Sequence, residues 1–101
     1  MGDVSEARIE RNNRIFREAN EKIRASADRY AAELERIPFI CECANPNCMK
    51  ILRLTREQYG EVRNDERHYF TAVGHEAAEG VRARVVSHND DHLIIEKPVQ
   101  G

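Results

Sequence analysis

Large apolar residues recur at every seventh position in the first third of the chain, which is the spacing of a stripe along one side of a helix. From about Val4 to Arg36 the sequence contains no proline and no glycine, and it is rich in Ala, Glu, Arg and Lys, which keep most of their side-chain freedom in a helix. The stripe consists of Ile9, Phe16, Ile23, Tyr30 and Ile37, with Ala19, Ala27 and Leu34 in adjacent positions and Asn13 and Asn20 as polar interruptions. The pattern predicts one long amphipathic helix in residues 1–37.

After this helix, short apolar runs are separated by turn residues, which is typical of strands. Pro38 is expected to end the helix. Strands are predicted at residues 39–43, 50–54, 67–73, 82–87 and 93–97. Thr55 and Gln58 occupy the two positions of a capping box and predict a short helix over residues 56–63. The sequence therefore predicts an α+β fold, in which the long N-terminal helix precedes a small domain, residues 38–101, of four or five strands and one short helix.

The chain has three cysteines, and all of them fall within eight residues. Only Glu42 separates Cys41 from Cys43, and four residues separate Cys43 from Cys48. Closely spaced thiolates suit a zinc ion, which takes four ligands in a tetrahedron, whereas an odd number of cysteines does not suit a disulfide framework. Zinc binding contributes on the order of 10 kcal/mol to the folding of small domains, so the second domain would gain much from it. We expect a structural zinc ion, with metal-free thiols or an iron–sulfur cluster as alternatives.

A fourth ligand has to come from one of four histidines. His75 is the preferred candidate because it follows a predicted strand and Gly74, which allows close approach of the backbone. His68, at the start of the same strand, is the second candidate. His88 and His92 flank a polar turn and are interpreted as surface residues.

The charges of the chain are numerous and balanced. There are 16 basic and 18 acidic residues, which give a formal net charge of −2. No basic segment is present that would clamp a polyanion, so nonspecific nucleic-acid binding is not favoured. No apolar run approaches the roughly 18 residues that a membrane span needs. We expect a cytoplasmic location and no membrane partner.

Several segments of the chain resemble a family of small bacterial proteins seen mainly in actinobacteria. The similar segments are residues 12–23, 39–43 and 54–63, Gly74-His75, and residues 95–97. In that family a C-x-C-x4-C motif is followed by L-T-x-x-E-Y-x-x-V-R and then by P-G-H. This chain has Gln58 where the pattern favours Glu and Val73 where it favours Pro. The resemblance implies a metal site formed by Cys41, Cys43, Cys48 and His75, and it implies no particular activity.

The sequence does not predict an enzyme. A closed site of three cysteines and one histidine is usually structural, and the segment from His75 to Glu79 lacks the second histidine of a zinc protease. We expect a zinc-binding regulatory adaptor that docks on a larger protein complex, such as one in transcription or signalling. The predicted docking residues are Ile9, Phe16, Ile23, Tyr30 and Leu34. One alternative is that the helix folds back on its own domain near residues 30–37 and frays at its start. Two others are pairing of the helix with a second copy and nucleic-acid binding by a zinc-ribbon-like head, the latter through Lys50, Arg53, Arg56 and Arg63.

Overall fold

The computed structural model describes residues 6–43, 45, 47–79 and 83–97, and it confirms the predicted α+β class. Two α-helices and five strands occur in this part of the chain, together with a short 3₁₀ helix. In chain order they are α1 (Glu6–Tyr30), β1 (Arg36–Ile40), β2 (Ile51–Thr55), α2 (Arg56–Arg63), β3 (His68–Thr71), the 3₁₀ helix (His75–Glu79), β4 (Arg84–His88) and β5 (Leu93–Glu96).

The strands form two small antiparallel sheets. In the first, β1 pairs with β2, so that Ile37 lies opposite Leu54 and Phe39 opposite Leu52. These four side chains are buried and alternate with exposed ones, as expected for a sheet with one face on the core. In the second sheet β5 lies between β3 and β4, and a bulge interrupts the pairing near Val85.

The core joins the first sheet to α2 and β3. The rings of Phe39 and Tyr59 stack with centroids 4.3 Å apart, and Phe70 packs edge-on against both. Thr55 caps α2 through the predicted capping box with Gln58, in which each side chain bonds to the backbone of the other residue. Because the cap fixes the start of α2, Tyr59 is turned into the core.

The predicted end of the long helix is wrong. Helix α1 ends at Tyr30 rather than near Arg36, and Pro38 lies inside β1. A long-range contact explains the early end, because the guanidinium of Arg56 donates to the carbonyl oxygens of Ala27, Ala31 and Leu34. Ala27 lies in the last turn of α1, and Ala31 and Leu34 lie just beyond it, so Arg56 provides main-chain carbonyls there with a partner without further helical turns. Pro38 is tolerated in β1 because its backbone nitrogen points away from β2. Its missing N–H group therefore removes no hydrogen bond between the two strands.

Helix α1 packs against the rest of the protein through a face that includes buried polar residues. Asn13 and Asn20, which the sequence pattern treats as interruptions, are fully buried. Ile9 and Ala27 are nearly fully buried as well. Among the remaining residues of the predicted stripe, Phe16 and Ile23 are half-buried and Ile37 belongs to β1. Tyr30 and Leu34 are exposed, at 75% and 40%.

The interpretation of His92 as a surface residue is wrong. Its side chain is only 1% exposed and lies edge-on to Phe70, with centroids 6.4 Å apart. Its Nδ1 atom lies 2.9 Å from a carboxylate oxygen of Asp91. The polar residues of the turn led to the prediction that this segment is exposed. The ring is buried because it contacts β3, and the spacing of residues in the sequence does not reveal that contact. His88 is exposed, as predicted.

Candidate metal centre

The four predicted ligands come from three places in the chain. Cys41 and Cys43 follow the end of β1, and Cys48 lies shortly before β2, so the cysteine loop, residues 41–48, joins the two strands. His75 begins the 3₁₀ helix beyond β3. The residue before it, Gly74, has φ +93°, a left-handed conformation that residues with a side chain rarely adopt. This turn at Gly74 directs the chain from β3 back toward the cysteines.

The structure brings these four side chains together around one point. The Nδ1 atom of His75 lies 3.6, 3.7 and 3.3 Å from the sulfur atoms of Cys41, Cys43 and Cys48, respectively. All four ligand atoms lie within 4.8 Å of one another. In a tetrahedral site with zinc–sulfur and zinc–nitrogen bonds of about 2.3 and 2.05 Å, sulfur and nitrogen are about 3.6 Å apart. The observed spacing therefore fits a four-coordinate ion in which Nδ1 is the histidine ligand.

Hydrogen bonding alone does not explain this convergence. One imidazole nitrogen offers either a single lone pair or a single N–H group, so it can make one good hydrogen bond and not three. The three sulfurs are also well shielded, with exposed fractions of 0, 0 and 7% for Cys41, Cys43 and Cys48, whereas His75 is half-buried. A metal ion would interact with all four ligand atoms at once.

The environment of the thiols also suits a bound cation. Burial raises the pKa of Cys41 and Cys43 above its usual range, because a buried thiolate loses its hydration. A coordinated cation reverses this preference and stabilises the thiolate form. The backbone N–H of Ala72 donates to the sulfur of Cys41 at 3.2 Å, which supports a negative sulfur from the β3 side.

Glu42, between the first two cysteines, is a fully buried structural anchor. Its carboxylate accepts hydrogen bonds from the Asn20 amide at 2.8 Å, the Phe70 N–H at 3.3 Å and the guanidinium of Arg63. Its own N–H donates to the Phe70 carbonyl at 2.9 Å, and its carbonyl accepts from the Asn13 amide at 2.8 Å. Burial raises the pKa of Glu42, while the Arg63 charge opposes that shift. Glu42 therefore fixes the backbone that carries the first two ligands.

The two buried asparagines of α1 hold the same segment from the helix side. Asn20 binds the main chain of Ile40 twice, because its amide donates to the carbonyl and its side-chain oxygen accepts from the N–H, both at 2.8 Å. Asn13 additionally donates to Glu79 at 3.0 Å and accepts from Lys97 at 2.6 Å. These residues were missed from the sequence, although two asparagines seven positions apart on an apolar helix face are a detectable signal.

The second histidine candidate, His68, belongs to a different cluster. It lies in β3 near Asp65 and Glu96, with ligand atoms within 4.8 Å of one another. Arg67 contacts both carboxylates, at 2.7 and 3.3 Å, and Arg84 also pairs with Glu96. These guanidinium groups lower the pKa of both acids and balance their charge. The cluster is therefore an ion-pair network rather than a second metal centre.

Two of the four cations that were candidates for nucleic-acid contact have partners within the protein. Arg56 pairs with Asp28 at 2.6 Å and bonds the end of α1, and Arg63 bonds Glu21 and Glu42. Lys50 and the side chain of Arg53 have no ion-pair or hydrogen-bond partner among residues 6–43, 45, 47–79 and 83–97. The predicted basic set is thus reduced to two neighbouring residues.

Comparison of the chain with protein-family models, with curated proteins and with solved structures finds no match in any of the three. The family resemblance therefore stays a prediction, whereas the cluster of three cysteines and one histidine that it implies is present and could hold a metal ion. No helix in the described part of the chain is both long enough and apolar enough to cross a membrane.

Proposed function

We propose that this protein is a non-catalytic zinc-binding adaptor that docks on a larger protein complex. The observation that supports it most directly is the convergence of three shielded thiols and the Nδ1 atom of His75 at the spacing of a tetrahedral ion. Three thiolates and one imidazole make zinc the favoured metal, and four protein ligands leave no open position for a substrate or water. The proposed role of zinc is therefore to hold the cysteine loop against β3.

Metal analysis tests the zinc centre. Purified full-length protein should contain about one zinc ion per chain, as expected for one complete ligand set. The change His75→Ala should lower that content and the melting temperature. His88→Ala is the matched control because His88 is exposed and lies outside the ligand cluster. Equal zinc content in all three proteins would refute the assignment of His75, and visible charge-transfer bands in the purified protein would indicate an iron–sulfur cluster instead.

The proposed docking element is α1 with the turn that follows it. Of the predicted docking residues, Tyr30 and Leu34 are exposed, so a partner can reach them directly, whereas Ile9 is buried and Phe16 and Ile23 are half-buried. Two apolar side chains near one helix end suit a groove on a partner protein. We propose a cytoplasmic complex of the transcription or signalling type as the partner.

Affinity capture tests the adaptor role. Full-length protein should retain a defined protein complex from a nuclease-treated lysate, and Tyr30→Ala with Leu34→Ala should lose most of it. Val86→Ala is a suitable control because Val86 is as exposed as Leu34, at 40%, and lies away from α1 on strand β4. Undiminished capture by the double variant would refute docking through this end of α1. A doubled mass without other proteins would identify pairing with a second copy instead.

The alternative of nucleic-acid binding has less support. It was based on four cations, and Arg56 and Arg63 now have internal partners. A genuine nucleic-acid complex would weaken steeply as salt is raised, because each phosphate contact releases counterions. An apolar dock through Tyr30 and Leu34 should respond little to salt.

A further inference from the structure

The outer edge of β2 faces away from β1. Cys41 donates its N–H to the carbonyl of Lys50 at 2.9 Å, so these two residues form a hydrogen-bonded pair just beyond the strands. In an antiparallel ladder such pairs alternate with pairs whose N–H and C=O groups point outward. The register places Ile51 and Arg53 at outward positions of β2 and Ile40 at an outward position of β1.

The two outer edges of this sheet are treated differently. On the β1 side, the amide of Asn20 pairs with both the N–H and the C=O of Ile40, much as a neighbouring strand would. On the β2 side, no group within the described ranges bonds the N–H or C=O of Ile51, and the Arg53 carbonyl has only a long contact of 3.4 Å with Arg36. Within the part of the chain that the structure describes, the β2 edge is therefore open to a further strand.

A groove runs along this open edge. Three successive residues of β2, Ile51 to Arg53, line it, although side chains alternate between the two faces of a strand. Successive residues can line one groove when the strand presents its edge to it. Val73 and His75, in the segment that follows β3, also line it, and the volume of about 580 Å³ is within the range of about 300–1,000 Å³ usual for binding clefts.

The side chains along the groove indicate the chemistry of an occupant. Ile51 and Val73 are 47% and 60% exposed, which provides apolar contact on both walls. Arg36, Lys50 and Arg53 add three positive charges, and none of them forms an ion pair with an acidic side chain of the described residues. The two acidic residues of the groove, Asp90 and Asp91, belong to the loop between β4 and β5, and Asp91 already contacts the ring of His92 at 2.9 Å, so arginine and lysine residues outnumber carboxylates in the lining by three to two.

We propose that an extended acidic segment of a partner protein binds this groove as a third strand beside β2. Its backbone would pair with Ile51 and Arg53. Its side chains would alternate between ion pairs with Arg53 on one face of the sheet and apolar contact with Val73 on the other face, where Lys50 adds one further cation at the end of the strand. A second copy of β2 fits less well, because antiparallel pairing of two such edges brings Lys50 and Arg53 close to the same cations. This inference rests on the proposed adaptor role and gives that adaptor a second contact surface, separate from α1.

Selection from a displayed library of random ten-residue peptides on zinc-loaded full-length protein tests the proposal. The enriched peptides should contain Asp or Glu alternating with apolar residues. Arg53→Glu should weaken their binding at least tenfold, whereas Lys22→Glu should leave it unchanged. Lys22 is a matched control because it is an exposed cation on α1 that does not line the groove. A proline scan of the best peptide should show sensitivity at every second position, since alternate N–H groups face β2.

Three results would overturn the inference: no enrichment on protein that carries stoichiometric zinc, equal binding to wild type and Arg53→Glu, or a dimer that buries this edge and excludes peptide. Zinc content measured on the same samples separates this failure from failure of the proposed function. If the protein contains no zinc, the metal centre is refuted whether or not peptides bind. The proposed groove is then still tested by comparing peptide binding to wild type and to Arg53→Glu.

Discussion

Replacement of Asn20 by alanine is the sharpest test of how α1 supports the metal centre. The change removes three hydrogen bonds of 2.8 Å, two to the main chain of Ile40 and one to the carboxylate of Glu42. Each such bond contributes about 1 kcal/mol net, and the bond to the carboxylate about 1.5–3 kcal/mol. Because Asn20 is fully buried, water has little access to the Ile40 groups that lose their partner, whereas the Glu42 carboxylate keeps its bonds from Arg63 and the Phe70 N–H. We expect Asn20→Ala to lower the free energy of unfolding by about 3–5 kcal/mol.

Urea denaturation of zinc-saturated protein, followed by circular dichroism, measures this change. The control is Lys22→Ala, which alters an exposed residue of the same helix and should change stability by less than about 0.5 kcal/mol. Asn20→Asp should destabilise at least as much as alanine, because it places an acceptor oxygen against the Ile40 carbonyl and the Glu42 carboxylate, where the amide donated. A loss below about 1 kcal/mol for Asn20→Ala would refute the reasoning.

Three further perturbations test other parts of the structure. Arg63→Met should cost about 3–5 kcal/mol by leaving the buried carboxylate of Glu42 without its cation, whereas Arg53→Met should cost little; equal unfolding midpoints would contradict this. Lys97→Met should lower the free energy of unfolding by about 3 kcal/mol because Lys97 pairs with the buried Glu79. Adding Glu79→Gln should recover part of this loss in a double-mutant cycle, and additive losses would argue against the pair. Removing zinc with a chelator should lower the melting temperature, and re-addition should restore it; an unchanged transition would show that the bound metal does not support folding.

Local patterns in the sequence predicted much of this fold. The helix α2 was found because Thr55 and Gln58 cap it through neighbouring residues, and the four candidate ligands were found because soft ligands are rare and their spacing is distinctive. Strands were located to within a few residues from short apolar runs, and the first of them begins at Arg36, earlier than predicted. In each of these cases the cause lies within a few positions of the residue it explains.

The features that the sequence did not reveal depend on distant partners. Asn13 is buried because it bonds Lys97, a residue 84 positions away, and Asn20 because it bonds a strand 20 positions away. Arg56 similarly bonds the carbonyls of Ala31 and Leu34, just beyond the end of α1 and more than 20 residues earlier in the chain. An asparagine in an apolar stripe looks like an interruption when only the periodicity is considered. The periodicity does not show whether the helix face packs against main-chain groups or against side chains. A helix that packs on exposed main-chain groups needs polar residues on its buried face.

These bonds restrict how α1 can take part in docking. Ile9 is buried and Ile23 packs against the core, on the same side of the helix as Asn20. If that side turned toward a partner, the polar groups of Ile40 and Glu42 would lose their bonds, at a cost of about 1–3 kcal/mol for each group that stays buried. A partner that requires this face therefore competes with the support of the metal centre.

Tyr30 and Leu34 carry no such cost, because their side chains are exposed while α1 remains in place. A partner that contacts only these two residues should bind zinc-loaded protein without any change in the cysteine loop. A partner that needs Ile9 should bind more tightly once chelation weakens the loop, because less intramolecular bonding then opposes release of the helix. Comparing partner affinity with and without chelator therefore distinguishes docking on the exposed helix end from docking on the buried face, since only the latter is linked to zinc.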